Sequence, residues 1–295
     1  MRAYLEITNI CNRRCPFCPG TDRKKQFVPA EVIRSRLGKL KDAGVDELYL
    51  HVLGEPLLHP DFAKIAALCQ ENAIPVNLTT NGTLLTREKQ EILLSCPVFR
   101  QINFSLQALE ADETDILDSI LDFCLKALER RPELYLNLRL WDFGRDFSSN
   151  ARNARFFSRI REKTGLDLPQ EPHFSSDRRS VHLAGRLYLH GGSMFDWPVK
   201  TAGRIPPEPG ADRAFCYGLI SQFGVLADGS VVPCCLDSEG AMTLGNMDAT
   251  PLREILASPR AAAIRKGFRN GIAAEPFCRT CTYRERHSAA RVRKN

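Results

Sequence analysis

The stretch TNICNRRCPFCPG, residues 8–20, holds three cysteines in the spacing C-x3-C-x2-C, at Cys11, Cys15 and Cys18. A cubane iron–sulfur cluster usually has four protein ligands, so three thiolates leave one iron open to a small molecule. Catalytic zinc sites follow the same logic, because their open coordination position does the chemistry. The triplet therefore predicts a reactive cluster rather than a structural clamp.

Length and composition indicate a globular protein with one large domain, or with one large and one small domain. The chain has 295 residues, of which 43% are hydrophobic and 26% are charged. These proportions are ordinary for soluble proteins. No run approaches the ~20 apolar residues of a membrane span, and residues 1–11 lack the features of a signal peptide. We expect a cytoplasmic protein that does not contact a membrane.

The eleven cysteines divide by position along the chain. Disulfides are rare in the cytosol, so another role is expected for most of them. Cys69, Cys96 and Cys124 are isolated within apolar helical patterns, and we expect them to be buried, inert thiols. The other eight fall at 11–18 and at 216–281. These two groups are the candidate metal-binding regions.

The formal net charge of +6 is a weak guide to partners. Two thiolate-bound iron–sulfur clusters would lower it to about +3, so we do not expect a nucleic-acid partner. The basic string at residues 283–295 is interpreted as a solvated tail, with an RNA-binding or peptide-binding arm as the alternative.

Hydrophobic periodicity predicts an α/β fold. Predicted strands cover residues 2–8, 47–52, 75–80, 100–105 and 134–141, and predicted helices cover 30–43, 61–72, 87–94, 113–130 and 150–163. Alternation at this spacing is typical of βα units with a parallel sheet. Right-handed crossovers would curl such a sheet into a full or partial barrel, here a partial (β/α)6 barrel.

Polar residues follow each predicted strand, where parallel α/β folds place their chemistry. They are the cysteine loop after the first strand, Gly54-Glu55-Pro56 after the second, Thr80-Asn81-Gly82 after the third, Ser105 and Gln107 after the fourth, and Arg139 to Asp142 at the end of the fifth. This recurrence makes a chance placement less probable and predicts one site at the carboxyl ends of the strands.

The second part of the chain has a different pattern. Periodicity weakens after about residue 167, and the following segment is rich in Gly, Pro, Ser and Arg. We place a domain boundary near residue 200, which gives domains at 1–200 and 201–295. Asp228-Gly229 between two apolar runs predicts a β-hairpin, and a helix is predicted over residues 251–268. The second domain is thus a small hairpin-plus-helix unit.

Together these motifs resemble the radical S-adenosylmethionine (SAM) superfamily. The resemblance covers residues 2–141 and rests on the cysteine triplet, GEP at 54–56, TTNG at 79–82 and the strand that ends in Ser105. It implies a [4Fe–4S] cluster on the three cysteines and SAM on its open iron. It also implies cleavage of SAM to a 5′-deoxyadenosyl radical that abstracts hydrogen from a substrate, with electrons from a flavodoxin- or ferredoxin-type donor.

The resemblance also implies a set of SAM contacts. Gly54 and Glu55 would bind the amino group, because a carboxylate suits an ammonium ion. The other implied contacts are Asn81 in a neighbouring loop, Ser105 and Gln107 at the ribose, Phe17 over the cluster or adenine, and Arg139 at the SAM carboxylate or a substrate anion. Ordinary turns, a core phenylalanine and a surface salt bridge are the structural alternatives.

The second cysteine group is similar to a shortened SPASM domain, the twitch type. Cys216, Gly229 and Cys234 match C-x(9–15)-G-x4-C, and the pair Cys278 and Cys281 follows later. The resemblance implies that these four cysteines hold one auxiliary [4Fe–4S] cluster. A structural zinc site would use the same four thiols and is the alternative.

The catalytic base is harder to assign from sequence. Cys235 is surplus to the four ligands. In sulfatase-maturing relatives, the residue at this position is an Asp that acts as the catalytic base. Asp237 lies two residues further on and is the candidate base here. Arg139 is the other candidate catalytic residue. The weakly patterned segment holds further residues that could line the substrate mouth, and the sequence does not choose among them: His173, His182, His190, Tyr188, Asp196 and Trp197.

Three function hypotheses follow. The first is a radical SAM oxidoreductase that performs a two-electron oxidation on a small-molecule alcohol or a peptide side chain, assisted by the auxiliary cluster. The second is a peptide or protein maturase that forms a cross-link or epimerises a residue. Only ten residues precede the triplet, which favours a small molecule or a partner-delivered peptide. The third is a non-catalytic metal- or RNA-binding module, against which Glu55 and the complete motif set argue.

Overall fold

The computed structural model describes residues 1–142, 151–166, 168, 174, 179–193, 195–198 and 212–284. The chain divides into two compact units, Met1–Gly54 with Phe195–Asn295, and Glu55–Met194. Over the described ranges, no helix has the length and apolar character needed to cross a membrane. His173 and the basic tail from residue 285 onward lie outside the described residues.

The elements alternate as the periodicity predicts. In chain order they are β1 (Arg2–Leu5), α1 (Ala30–Asp42), β2 (Glu47–Tyr49), α2 (Phe62–Asn72), β3 (Val76–Thr80), α3 (Arg87–Ser95), β4 (Phe99–Ser105), α4 (Thr114–Arg130), β5 (Tyr135–Asp142), α5 (Ala151–Thr164), β6 (Ser180–Ala184), β7 (Leu187–Ser193), β8 (Gln222–Val225), β9 (Ser230–Val232), β10 (Gly245–Asn246), α6 (Leu252–Ala257), α7 (Pro259–Arg269) and α8 (Pro276–Arg279). The predicted α/β fold with parallel strands is confirmed.

The first unit carries strands in the order β10-β9-β8-β1-β2. Strand β1 runs parallel to both neighbours, with Arg2 opposite Glu47 on β2 and opposite Gln222 on β8. Strands β8 and β9 form the predicted hairpin, and Gly229 occupies its turn with φ +88°. The C-terminal hairpin is therefore continuous with the first strand of the chain.

A buried arginine fastens α1 to this hairpin. The Arg36 guanidinium donates to both carboxylate oxygens of Asp248, at 3.0 and 2.6 Å, and to the carbonyl of Ala227 at 3.1 Å. Its side chain is only 2% exposed. A bidentate pair of this kind fixes orientation as well as distance, so α1 and the hairpin are held in one arrangement.

The second unit carries strands in the order β3-β4-β5-β7-β6. The first four are mutually parallel, and β6 pairs with β7 in the antiparallel sense. One sheet face is apolar, because Ile102, Leu136 and Leu189 are fully buried. Since side chains alternate along a strand, the residues between them form a second face, and that face is polar.

The structure corrects three expectations. Strands β6 and β7 fall in a segment for which the sequence predicted no element. The single helix predicted over 251–268 is two helices, because Ser258 ends α6 and caps α7, where Pro259 lacks the N–H that a continuous helix needs. Cys69 and Cys124 are buried as expected, whereas Cys96 is half-buried at the end of α3.

Candidate active site

The three clustered cysteines lie in an accessible loop after β1. Cys11 is exposed, and Cys15 and Cys18 are half-buried. The Cys18 backbone N–H donates to the Cys15 carbonyl at 3.0 Å, which turns the chain between these two thiols. Partial burial, and then the charges of Cys11 and Cys18, raise the pKa of the Cys15 thiol to about 11. Three thiols that interact in one accessible loop fit a three-thiolate cluster with an open iron.

Two side chains at the start of this loop bond the backbone at its end and so close the loop. The Thr8 hydroxyl donates to the carbonyl of Gln26 at 2.9 Å. The Asn9 amide donates to the Lys24 carbonyl and accepts from the Gln26 N–H, each at 2.9 Å. Within the loop, the Phe17 carbonyl accepts from the Trp197 indole N–H at 2.9 Å. These hydrogen bonds therefore hold in place the loop that contains the three thiols.

Glu6 is the polar centre of the first unit and was not identified as a site residue from sequence. Its oxygens accept from the two Arg23 guanidinium nitrogens, at 2.7 and 2.8 Å. They also accept from the backbone N–H groups of Leu53 at 3.1 Å and Ala227 at 2.8 Å. Arg23 in turn donates to the Ser238 carbonyl at 2.7 Å. One carboxylate thus ties together the cysteine loop, the loop before Gly54 and the C-terminal hairpin.

Gly54 occupies a position that only glycine suits. Its φ is +79°, and a Cβ there would lie 2.3 Å from the Thr8 carbonyl oxygen. Glycine adopts this conformation without strain and allows the backbone of the GEP loop to approach β1's continuation closely. The sequence motif therefore has a steric cause in this fold.

Glu55 is a buried carboxylate held by three donors. Its Oε1 accepts from the Leu57 N–H at 3.0 Å and the Thr80 hydroxyl at 2.8 Å, and its Oε2 accepts from the Asn81 N–H at 2.7 Å. Burial raises the pKa of Glu55, and the three hydrogen bonds oppose that shift. A carboxylate has about four acceptor positions, so Oε2 can accept one more donor, such as a ligand ammonium.

Predicted site residues meet at the carboxyl ends of the second unit's strands. Ser105 on β4 is paired with Arg139 on β5, and Arg139 is paired with His190 on β7. Asn81 directly follows Thr80, the last residue of β3. Arg139 is half-buried and, within the described part of the chain, makes no ion pair. This row can therefore hold an anionic or hydroxyl-bearing molecule.

Gln107 lies just beyond this row, in a short 3-10 helix at Leu106–Ala108. It is 5% exposed, and its side-chain oxygen Oε1 is buried without a hydrogen-bond partner. Such an oxygen is costly to bury unpaired, so a ligand donor at this point would satisfy it. The chemistry of Glu55 and Gln107, both acceptors, fits a ligand with an ammonium and hydroxyl groups.

The five cysteines of the second group, at 216–281, line one cavity in the first unit. It has a volume of about 220 Å³, and its walls include Cys216, Cys234, Cys235, Cys278 and Cys281. Burial, and then the neighbouring thiols, raise the pKa of Cys234 well above its usual range, and the pKa of Cys281 is raised to about 11 with burial as the main cause. No three described His, Cys, Asp or Glu side chains form a group that could hold a single metal ion. A cavity walled by thiols fits an iron–sulfur cluster.

Cys235 also belongs to this cavity wall. It is hydrogen-bonded to Tyr4, and burial raises the pKa of its thiol to about 12. Tyr4 itself stacks on Tyr49 with ring centroids 4.5 Å apart. The geometry therefore gives Cys235 a partner on β1 that Cys234 does not share.

Asp237, the candidate base, is fully buried in the loop after Cys235. Both carboxylate oxygens accept backbone N–H groups, from Ala241 and Met242, each at 2.8 Å. Burial raises the pKa of Asp237, and these two hydrogen bonds oppose the shift. A carboxylate enclosed by its own loop is placed to stabilise that loop, which favours a structural role over the predicted role as a base.

Family comparisons identify the two cysteine regions. A model described as the radical SAM superfamily matches residues 5–133. A second model, described as an iron-sulfur cluster-binding domain (SPASM), matches residues 216–282. Residues 5–133 thus form a radical SAM domain, and residues 216–282 form a SPASM domain. The radical SAM domain implies a [4Fe–4S] cluster and SAM, the SPASM domain implies auxiliary iron–sulfur binding, and the chain is an enzyme.

Relatives of this radical SAM enzyme share only part of its length. GTP 3′,8-cyclase of Actinobacillus pleuropneumoniae is 30% identical over 139 residues, which are 44% of this chain and 40% of that protein. A probable GTP 3′,8-cyclase of Pyrococcus abyssi is 27% identical over 148 residues, 46% of this chain and 45% of that protein. The matched region thus spans less than half of these curated relatives.

Solved structures of radical SAM enzymes share the fold over nearly the whole chain. BtrN in complex with AdoMet and 2-DOIA has a TM-score of 0.61 at 15% identity, and the match covers 95% of this chain and 92% of that one. Streptococcus suis SuiB bound to precursor peptide SuiA has a TM-score of 0.60 at 16% identity, covering 90% and 66%. The enzyme anSMEcpe with bound AdoMet has a TM-score of 0.58 at 15% identity, covering 99% and 97%.

Proposed function

We propose that this radical SAM enzyme oxidises its substrate by two electrons, with one auxiliary [4Fe–4S] cluster as electron acceptor. The supporting observation is the cavity of about 220 Å³ whose wall contains all four predicted auxiliary ligands. A second cluster beside a radical enzyme can take the electron that remains after hydrogen abstraction. The substrate is a small-molecule alcohol or a peptide side chain, and the donor that reduces the enzyme is of the flavodoxin or ferredoxin type.

The two cysteine groups support two separate iron–sulfur sites, one that binds SAM and one auxiliary site. Cys11, Cys15 and Cys18 would hold the SAM-binding cluster, and Cys216, Cys234, Cys278 and Cys281 would hold the auxiliary one. Bound SAM supplies a 5′-deoxyadenosyl radical for hydrogen abstraction. We assign these two sites to domains 1–200 and 201–295, the boundary inferred from composition.

The chain's own contribution to SAM binding is position and charge. Glu55 would accept the SAM ammonium through its remaining acceptor position, and Gly54 would allow the backbone to approach. The other proposed contacts are Asn81, Ser105 and Gln107 on the nucleoside side, Arg139 at a carboxylate, and Phe17 beside the cluster. Support comes from the hydrogen-bond acceptors of Glu55 and Gln107 that protein donors leave open.

Glu55→Gln should weaken SAM binding about 10- to 100-fold, because a charge-assisted hydrogen bond is lost. The Kd for SAM, measured by equilibrium dialysis on anaerobically reconstituted protein, checks this. Thr80→Val is the matched control, because it removes one donor to Glu55 but keeps the carboxylate charge. The control should change Kd by only a few-fold. An equal loss in both variants would assign the effect to loop structure and not to charge.

The oxidation itself is tested with a pool of alcohols, amino sugars and peptides, SAM and dithionite. The wild type should convert one compound to a product that has lost two hydrogens, with one 5′-deoxyadenosine per product. Cys234→Ala should lose about four of about eight irons, and its ratio of oxidised product to 5′-deoxyadenosine should fall. Cys235→Ala is the control and should keep the iron content and the ratio. An unchanged ratio in Cys234→Ala would contradict the acceptor role, and four irons plus one zinc in the wild type would contradict the second cluster.

Peptide maturation by cross-linking or epimerisation is the second candidate. Two of the fold neighbours were solved with peptides, SuiB with precursor peptide SuiA and anSMEcpe with Cp18Cys peptide. A peptide product of unchanged mass in the same pool would favour epimerisation over oxidation, whereas a loss of two hydrogens with a new covalent bond would indicate a cross-link.

A further inference from the structure

The polar face of the second unit's sheet carries a hydrogen-bonded chain that ends at a histidine. Asn103 on β4 and Asn137 on β5 are paired in register and are 5% and 7% exposed. His190 on β7 lies two residues further toward the carboxyl ends, opposite Arg139, and so is on the same face of the sheet. Buried amides in one row stabilise a sheet less than apolar side chains would, so this row is a candidate for function.

The Leu78 carbonyl, at one end of this row of hydrogen bonds, determines which group donates in each of them. The Leu78 carbonyl can only accept, so the group 3.2 Å from it is the Asn103 amide nitrogen. The Asn103 oxygen then accepts from the Asn137 amide nitrogen at 2.8 Å. The Asn137 oxygen therefore faces His190 Nε2, also at 2.8 Å, and must accept from it.

This polarity determines the tautomer of neutral His190. Because Asn137 offers an acceptor, the proton is on Nε2, and the lone pair is on Nδ1. The second nitrogen, Nδ1, makes no hydrogen bond with any described residue. Of the two nitrogens of His190, the row of amides thus leaves Nδ1 as the proton acceptor.

The surroundings of His190 favour its neutral form. Burial, and then the positive charge of Arg139 on β5, lower the pKa of His190. Tyr188 lies two residues before it on β7. On β6, the register partner of His190 is the uncharged Ser180, and the His182 ring lies tilted against that of Tyr188. Across the described ranges, no carboxylate pairs with His190. These surroundings favour the neutral imidazole over the imidazolium.

We propose that His190 is the general base of the proposed oxidation and accepts, through Nδ1, the proton of a substrate hydroxyl or amine. This inference rests on the proposed function. A substrate that has lost a hydrogen atom from carbon gives its O–H or N–H proton to Nδ1 and one electron to an iron–sulfur acceptor. A C=O or C=N double bond forms, and the imidazolium releases the proton to solvent. Asp237 does not compete for this role, since its own loop encloses it.

A chemical footprint tests the histidine without turnover. Diethyl pyrocarbonate acylates neutral imidazole, so its rate at His190 in the holoenzyme, followed by peptide mass mapping from pH 5 to 8, reports the protonation midpoint. The midpoint should lie below the usual value of about 6.5, and Arg139→Gln should raise it. The exposed His182 is the internal reference for the reagent. Two results would overturn the assignment: no acylation at His190, or a protonation midpoint above 6.5 that is the same in the wild type and in Arg139→Gln.

His190→Gln tests the catalytic role. Glutamine places its amide near the position of Nε2, so it can keep the bond to Asn137 while it removes Nδ1. The ratio of oxidised product to 5′-deoxyadenosine should fall about 100-fold or more. In the wild type this ratio should fall as pH drops below the lowered pKa of His190, and in the variant it should not depend on pH in that range. His182→Gln on β6 is the control and should match the wild type.

The two proposals fail in different ways. If the wild type yields no product that has lost two hydrogens, the oxidation is wrong, and the footprint still reports on the tautomer and charge of His190. If the wild type oxidises the compound and His190→Gln keeps the wild-type ratio and pH profile, the oxidation stands and the base is elsewhere.

Discussion

Cys15→Ala will reduce 5′-deoxyadenosine formation from SAM and dithionite to the buffer background. Cys15 is the middle thiol of the loop, and burial, followed by the charges of Cys11 and Cys18, raises its pKa. Two remaining thiolates do not retain a cubane cluster, so no open iron is left for SAM. Iron and sulfide analysis should show about four irons per chain in place of about eight.

Cys96→Ala is the matched control for this experiment. Cys96 is half-buried, as Cys15 is, but it lies at the end of α3 and belongs to neither candidate metal-binding group. Its replacement should leave iron content and 5′-deoxyadenosine yield at wild-type values. An equal yield from Cys15→Ala would remove this loop from the radical chemistry, whereas a loss in Cys96→Ala would show that general damage to the fold affects the assay.

The elements that sequence predicted best are those with strong local patterns. The helix predicted over residues 113–130 is observed at Thr114–Arg130, because its apolar face repeats over four turns. Strands β6 and β7 were missed because they lie in the weakly patterned segment and β7 contains Gly191 and Gly192, which weaken a strand pattern. His190 was one candidate among several from sequence, and its place beside Arg139 followed only from the pairing of β7 with β5.

The candidate site shows the same division between local and distant information. The triplet, Gly54 and Glu55 could be found because each stands in a short motif after a strand. The environment of Asp237 could not, because both its hydrogen bonds depend on the path of the loop over residues 237–242. Residue type suggested a base, and only backbone geometry showed that its oxygens are engaged.

Glu6→Gln should lower the free energy of unfolding by about 3–5 kcal/mol, the usual result of breaking a buried ion pair from one side. The Glu6 side chain is 0% exposed and that of Arg23 is 13% exposed, so solvent cannot replace the lost charge. The glutamine would also present a donor to N–H groups that need an acceptor. Urea unfolding of the anaerobic holoprotein, followed by circular dichroism, measures the loss.

The contrast between two ion pairs decides whether burial is the cause. Glu91 and Arg130 form an exposed pair between α3 and α4, and Glu91→Gln should leave the unfolding midpoint near that of the wild type. Arg23→Met, the other half of the buried pair, should destabilise the protein as Glu6→Gln does. Because Glu6 joins the cysteine loop to Leu53 and Ala227, both buried-pair variants should also retain less iron after reconstitution. Full iron content together with an unchanged unfolding midpoint in Glu6→Gln would show that the cysteine loop is held by the hydrogen bonds of Thr8 and Asn9 alone.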